Sequence, residues 1–401
     1  MGLDVHPIDK DKNDETLYMT KSVRATSDIS IKTPIMAYSN GLINSNEKVA
    51  SGTRGLNEIY CEINTNKIPL KKLVTDTKFS DSLVSRIRAQ QPKSQNMSGN
   101  EIDICILECD LERYPKDDGW DFLLNTVHGY SHIVPLPNIP FITNQINSEA
   151  KFKKYLAFVE KSIKYLRDYN GKPIMGGIPK LPYEYTKRLV LFYLENDINA
   201  LYFDFAARNP TILIPDLLEI FKILVQNKKI DQTFMYAYNV SAGRLSKTKE
   251  AVSAKNILAF GFGFDAMGRK HKRSSFVPLP PPQGLGGEAN TDEKKIRLFN
   301  RSDYGYYRVV GSQRIREIYP TDEPCIEIET FMKATSSKSK LTRCEALMNN
   351  EQLAREALNL QGVIKHDPPS QYLSQKKYVK RSYISALKNH KTEVCQKRLS
   401  G

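Results

Sequence analysis

Between residues 172 and 265, short apolar runs alternate with segments whose apolar residues recur at helical spacing. The runs are 173–178, 200–205, 233–240 and 257–264. Tyr183–Glu195 and residues 215–227, which separate the first three, between them carry Leu, Val, Ile and Phe at helical spacing. Continuous apolar strands divided by amphipathic helices form a parallel sheet covered on both faces, so the pattern predicts an α/β fold. In such folds ligands meet the C-terminal ends of the strands. Each predicted strand ends beside chemically useful residues: Lys180 after the first, Asp204 with Arg208 and Asn209 on the second, Asn239 with Arg244 on the third, and Asp265 with Arg269, Lys270 and His271 on the fourth.

The same rhythm starts earlier. Ile102–Asp110 is an apolar strand running into the acids Glu108, Asp110 and Glu112, and 132–137 is a second strand. Phe152, Tyr155, Leu156, Val159, Ile163 and Leu166 then mark one face of a helix over 149–168, begun by Ser148 and stopped by Asn170-Gly171. Upstream, 23–25 and 30–37 predict a hairpin, 40–55 a polar loop and 81–89 a short helix. Residues 1–22, dense in Asp and Lys, predict a mobile leader. The expected organisation is therefore a leader (1–22), an α/β barrel with long loops (23–331) and a basic helical C-terminal region (332–401).

Charge adds an expected partner. The 401 residues carry a formal charge of +14, with pI near 9.3, which in a chain of ordinary apolar content suggests a polyanion. The cations concentrate in Arg269, Lys270, Lys272 and Arg273, beside a Pro-rich run, and in the tail, where fourteen Lys/Arg face five Asp/Glu over 332–401. Lys376, Lys377, Lys380 and Arg381 are the tail residues best placed to meet a phosphate backbone. No apolar run approaches the roughly 20 residues of a membrane helix, so a cytoplasmic protein with no membrane partner is expected. The six scattered cysteines are expected to be reduced. Cys105 and Cys109 share a strand face but lack further ligands. His128 and His132 need a helix to converge, and Gly129 and Ser131 disfavour one. No metal or cofactor is expected.

Three short segments resemble the tRNA-guanine transglycosylase superfamily: Lys32-Thr33-Pro34-Ile35-Met36, Gly263-Phe264-Asp265-Ala266-Met267, and the tail around Glu345, Asn350 and Glu351. That resemblance implies a TIM-type (β/α)8 barrel with an N-terminal hairpin, and exchange of a guanine in tRNA or DNA for a 7-deazaguanine base through a carboxylate nucleophile. The family's cysteine-rich zinc run has no counterpart here. For such chemistry the residues offer Asp204 and Asp265 as paired acids, with Asp110 as a third. Gly176 and Gly177 would let backbone approach a flat base, and Arg208, Asn239 and Arg244 would hold it. Tyr202, Phe203, Tyr236 and Tyr238 either stack on a base or fill the barrel. Two other readings stand beside this one. One is a barrel lyase or aldolase on a phosphorylated small molecule, with Lys180 as a Schiff-base or proton-handling residue and Arg244 and Arg269 holding phosphate. The other is a non-catalytic nucleic-acid-binding protein. Oligomeric state is left open.

Overall fold

The computed structural model describes residues 2–44, 47, 49–50, 52–65, 69–91, 101–115, 117–169, 171–243, 250–271, 296–309, 312–319 and 337–396. Eight parallel strands form the centre: Ile35–Met36, Leu56–Asn64, Ile102–Asp110, Val134–Pro135, Ile174–Ile178, Ala200–Asp204, Phe234–Tyr238 and Ala266–Met267. Six ladders join neighbours in chain order, including the last strand to the first. Two isolated bridges, Tyr38 to Asn57 and Glu108 to Asn138, join the first strand to the second and the third to the fourth. Their hydrogen bonds, Tyr38 N to Leu56 O at 2.8 Å and Asn138 N to Leu107 O at 2.8 Å, close the ring. The result is an eight-stranded parallel barrel in chain order, the expected (β/α)8 architecture.

Strand alternation sorts the side chains. Phe234, Tyr236 and Tyr238 join Ile102, Ile104, Ile106, Met175 and Tyr202 in the barrel interior, while Met235 and Ala237 face the helical shell. That shell includes Asp117–Gly129, Glu149–Tyr169, Tyr183–Glu195 and Ile214–Gln226. The expected strand over 257–264 is instead a 3-10 helix, Lys255–Phe262, ended by Gly263 at φ 107°. This segment is buried on every side, and an apolar run without periodicity does not distinguish a strand from a buried helix. The eighth strand is the two-residue segment after it. Leu56–Asn64, not anticipated as a strand, is the second.

Both termini belong to this body. Arg381–Cys395 packs on Ile214–Gln226 and the 3-10 helix, and Lys338–His366 packs on the first strand, so the C-terminal helices supply shell that the last strands lack. Leu347, Leu360, Ile364 and Leu387 are buried beneath their basic surface. The expected mobile leader is also corrected. Asp4–Lys10, Met19–Arg24 and Ser30–Lys32 form an antiparallel sheet because Leu3, Val5, Leu17 and Tyr18 are buried between the charges. Among the described residues, no helix is long and apolar enough to cross a membrane.

Candidate active site at the barrel mouth

In the barrel interior, between the middle of the second strand and the C-terminal ends of the third and sixth, three carboxylates are held by phenols, amides and an imidazole. Glu58, on the second strand, meets His271 Nε2 through Oε1 at 2.5 Å and accepts a hydrogen bond from the Tyr236 hydroxyl on Oε2. Glu108, on the third strand, accepts from Tyr238 at 2.9 Å and from Tyr60 at 3.2 Å. Asp204 ends the sixth strand, where Asn138 Nδ2 donates to it at 2.9 Å and the Ala206 backbone N–H at 2.7 Å. The imidazole is fixed twice more. Its backbone N–H donates to Asn239 Oδ1 at 3.0 Å, and its ring stacks on Tyr60 with centroids 4.0 Å apart.

The environments separate the acids. Burial alone would push the Glu58 carboxyl up, but His271, Tyr236 and Arg269 outweigh it and hold the group below its ordinary value, ionised. Burial, helped by the charge of Glu108, pushes Asp204 up to about 6 despite its hydrogen bonds to Ala206, Asn138 and Asn239. Burial also raises Tyr236 and Tyr238, so both remain neutral donors. One fixed carboxylate beside an imidazole and one acid titrating near neutrality are the parts of a proton-transfer site.

Not every expected residue converges here. Asp204 and Asn239 do. Asp110 ends its strand half-buried, and Arg208 and Lys180 are exposed on the loops that follow theirs. Asp265 is the main correction. Because 257–264 is helical, Asp265 precedes its strand and lies at the opposite end of the barrel, where it is buried and paired with Lys21 at 2.9 Å. Gly176 and Gly177 are also corrected. A Cβ on Gly176 would come within 2.8 Å of the Tyr193 ring and one on Gly177 within 2.5 Å of the Tyr202 hydroxyl, so these glycines make room for rings of the protein itself.

Of the expected nucleic-acid contacts, Lys377, Lys380 and Arg381 are exposed, whereas Lys376 lies over the Tyr372 ring at 4.2 Å and donates to Arg301 O. Arg244, Lys272 and Arg273 lie outside the described residues. His128 ends a helix and His132 follows it, with Nδ1 accepting from Asp103 N–H at 2.9 Å. Burial raises the Cys105 and Cys109 thiols, which makes them poor nucleophiles. No group of three or more His, Cys, Asp or Glu among the described residues is arranged to hold a metal.

Sequence reasoning missed Glu58, Tyr60, Asn138 and the pairing role of His271. The available signal was an acid inside an apolar strand, Leu56–Asn64, since a buried carboxylate is retained only with partners. Gly268 completes the wall. A Cβ there would land on the Tyr236 hydroxyl and the Glu58 carboxylate. Gly268→Ala should therefore cost about 1–3 kcal/mol by overpacking, measurable by urea denaturation.

A cavity of about 230 Å³ adjoins this wall, between the ends of the seventh and eighth strands and Lys338–His366. A roomier cleft of about 620 Å³ lies at the other end of the barrel, among Gly2, Lys172, Asn199 and Lys229, with Asp197 as its lone carboxylate. Of the residues beside the carboxylate cluster, Gly268 and Arg269 line the smaller opening.

No family model matches this chain, and no curated protein matches it. Among solved structures it is similar to a FabK mutant from Thermotoga maritima, at 11% identity and TM-score 0.34, covering 84% of this chain and 94% of that one. It is also similar to the enoyl reductase domain of MlnA from the macrolactin biosynthesis cluster of Bacillus amyloliquefaciens, at 9% identity and TM-score 0.29, covering 86% and 90%. Scores this low do not bear on activity. The resemblance to transglycosylases does not hold: no family model supports it, and Asp265, on which its central segment turned, is at the wrong end of the barrel.

Proposed function

We propose that the chain is a barrel enzyme of the lyase or isomerase type, moving protons by general acid–base catalysis on a small polar molecule at the C-terminal mouth. The contact that supports this reading best is Glu58 with His271, placed where barrels carry their catalytic groups. With Nε2–H donated to the carboxylate, Nδ1 is the basic nitrogen left to take a proton from substrate. Glu58 orients the ring and stabilises the imidazolium that forms. Asp204, half-protonated near pH 6, supplies a proton to the departing or rearranging group. Lys180 is exposed, so a buried Schiff-base lysine is not part of this reading.

Solvent exchange tests this whatever the final product is. In D₂O, the wild-type protein is expected to wash deuterium into an acidic C–H of at least one member of a mixture of small hydroxy and keto acids, read by proton NMR. His271→Asn and Glu58→Gln should each slow that exchange about 10²–10⁴-fold. Exchange that survives both substitutions in folded protein would refute the assignment.

A further inference from the structure

The cavity beside Gly268 differs in chemistry from the carboxylate cluster it adjoins. Val240 and Ala242 follow the seventh strand and Gly268 and Arg269 follow the eighth, and all four line it. Loops after the seventh and eighth strands are where barrels frequently bind phosphate. Lys338–His366 supplies the opposite wall, including Asn350.

Its polar lining is incompletely satisfied within the protein. Asn350 and Asn256 are 3% and 6% exposed, yet Asn350 Nδ2 and Asn256 Oδ1 have no hydrogen-bond partner among the described residues. Arg269 Nε is buried in the same condition. Each such atom costs on the order of 1–3 kcal/mol unless something bonds to it, and most buried polar groups do have partners. The cations are also held in place. Arg297 donates to Gly243 O at 2.7 Å and lies 4.8 Å above the Tyr306 ring, while Asn256 Nδ2 donates to the Tyr306 hydroxyl at 3.0 Å. Lys270 brings a third positive charge to the lining against a single acid, Glu345. Burial raises the Glu345 carboxyl, and Arg297 opposes the rise.

We infer that this cavity is a phosphoryl subsite, in which Arg269, Arg297 and Asn350 hold the phosphate of a phosphorylated small molecule while its reacting end lies beyond Gly268, against Glu58 and His271. The cations and the unsatisfied amide donor suit a phosphate's several acceptor oxygens, and Asn256 Oδ1 suits a neighbouring hydroxyl. The inference rests on the acid–base reading for the identity of the reacting end, but the subsite itself can be tested alone.

The test is titration of the full chain with inorganic phosphate, followed by phosphorus NMR and calorimetry, with acetate and chloride at matched ionic strength as controls. Saturable phosphate binding is expected, weakened at least about tenfold by Arg269→Gln and by Arg297→Gln and retained in His271→Asn. Asn350→Leu gives a second readout: at a ligand site it weakens phosphate binding, whereas at an unused buried amide it raises the unfolding midpoint and leaves phosphate affinity unchanged. Equal binding by both Arg variants and wild type, binding of acetate but not phosphate, or no saturable binding would each overturn the subsite. Phosphate binding without deuterium exchange would leave the subsite standing and remove the acid–base reading. Exchange with no phosphate binding would do the reverse.

Discussion

Lys21→Met should destabilise the protein by about 3–5 kcal/mol, the usual consequence of removing one member of a buried ion pair. The two side chains are 0% and 1% exposed, with Lys21 Nζ 2.9 Å from Asp265 Oδ2. The ammonium also donates to Ile230 O at 2.9 Å and Thr233 O at 2.6 Å, and the same carboxylate oxygen accepts from Met235 N–H at 2.8 Å. Together these bonds tie the N-terminal sheet to the starts of the seventh and eighth barrel strands. Losing Lys21 leaves a carboxylate that burial already pushes up, and it would take a proton rather than remain charged. Asp265→Asn should cost a similar amount, because it strands the ammonium instead. The double change Lys21→Met with Asp265→Leu should lose less than the sum of Lys21→Met and Asp265→Leu made singly, since it removes both charges and fills their volume. Denaturant melts of the wild type, these two single variants and the double variant measure the coupling. If Asp265→Asn melted with the wild type, this account of the barrel floor would be wrong.

That Asp265 belongs to the floor and not to the mouth shows where the sequence could be read and where it could not. Strands of five or more residues with apolar character throughout, flanked by helices of clear periodicity, were legible: Ile102–Asp110, Ile174–Ile178, Ala200–Asp204 and Phe234–Tyr238. Asp204 and Asn239 followed from them. The strand Ala266–Met267, only two residues long, leaves no periodic trace, and the longer apolar run before it drew the assignment away from it. That displacement carried Asp265 to the wrong end. Leu56–Asn64 was hidden for a different reason: Asn57 and Glu58 interrupt it, and both are buried because tertiary partners satisfy them. The basic tail read as a phosphate-binding face because its cations outnumber its acids, although Lys388 and Lys391 reach Glu15 and Asp14 at 2.7 and 2.6 Å. Pairing of this kind depends on long-range packing, which local spacing does not encode.

The same packing gives the C-terminal helix a pH response of its own. His390, on Arg381–Cys395, is 1% exposed and packs edge-on against Phe262 and Phe221, with centroids 5.1 and 5.7 Å away. Burial pulls its imidazole down from 6.5 to about 4; Lys222 adds to this, and the Phe262 backbone opposes it. A base whose folded value is depressed binds protons more readily when unfolded, so its contribution is neutral above pH 6.5 and turns against folding as pH falls toward 4. Over that span of 2.5 units, at about 1.4 kcal/mol each, the loss approaches roughly 3 kcal/mol. Asp204 works in the opposite sense. Its raised value lets the folded state take a proton first, so stability is gained as pH falls from about 6 toward 3.8. The wild-type curve should therefore be shallow between pH 4 and 6.5, because the two slopes oppose. Removing either group should expose the other: His390→Leu should gain stability on acidification through this window, and Asp204→Asn should lose it more steeply than the wild type. Urea midpoints at half-unit pH steps will show this, and curves for both variants parallel to the wild type would rule out His390 and Asp204 as the titrating pair.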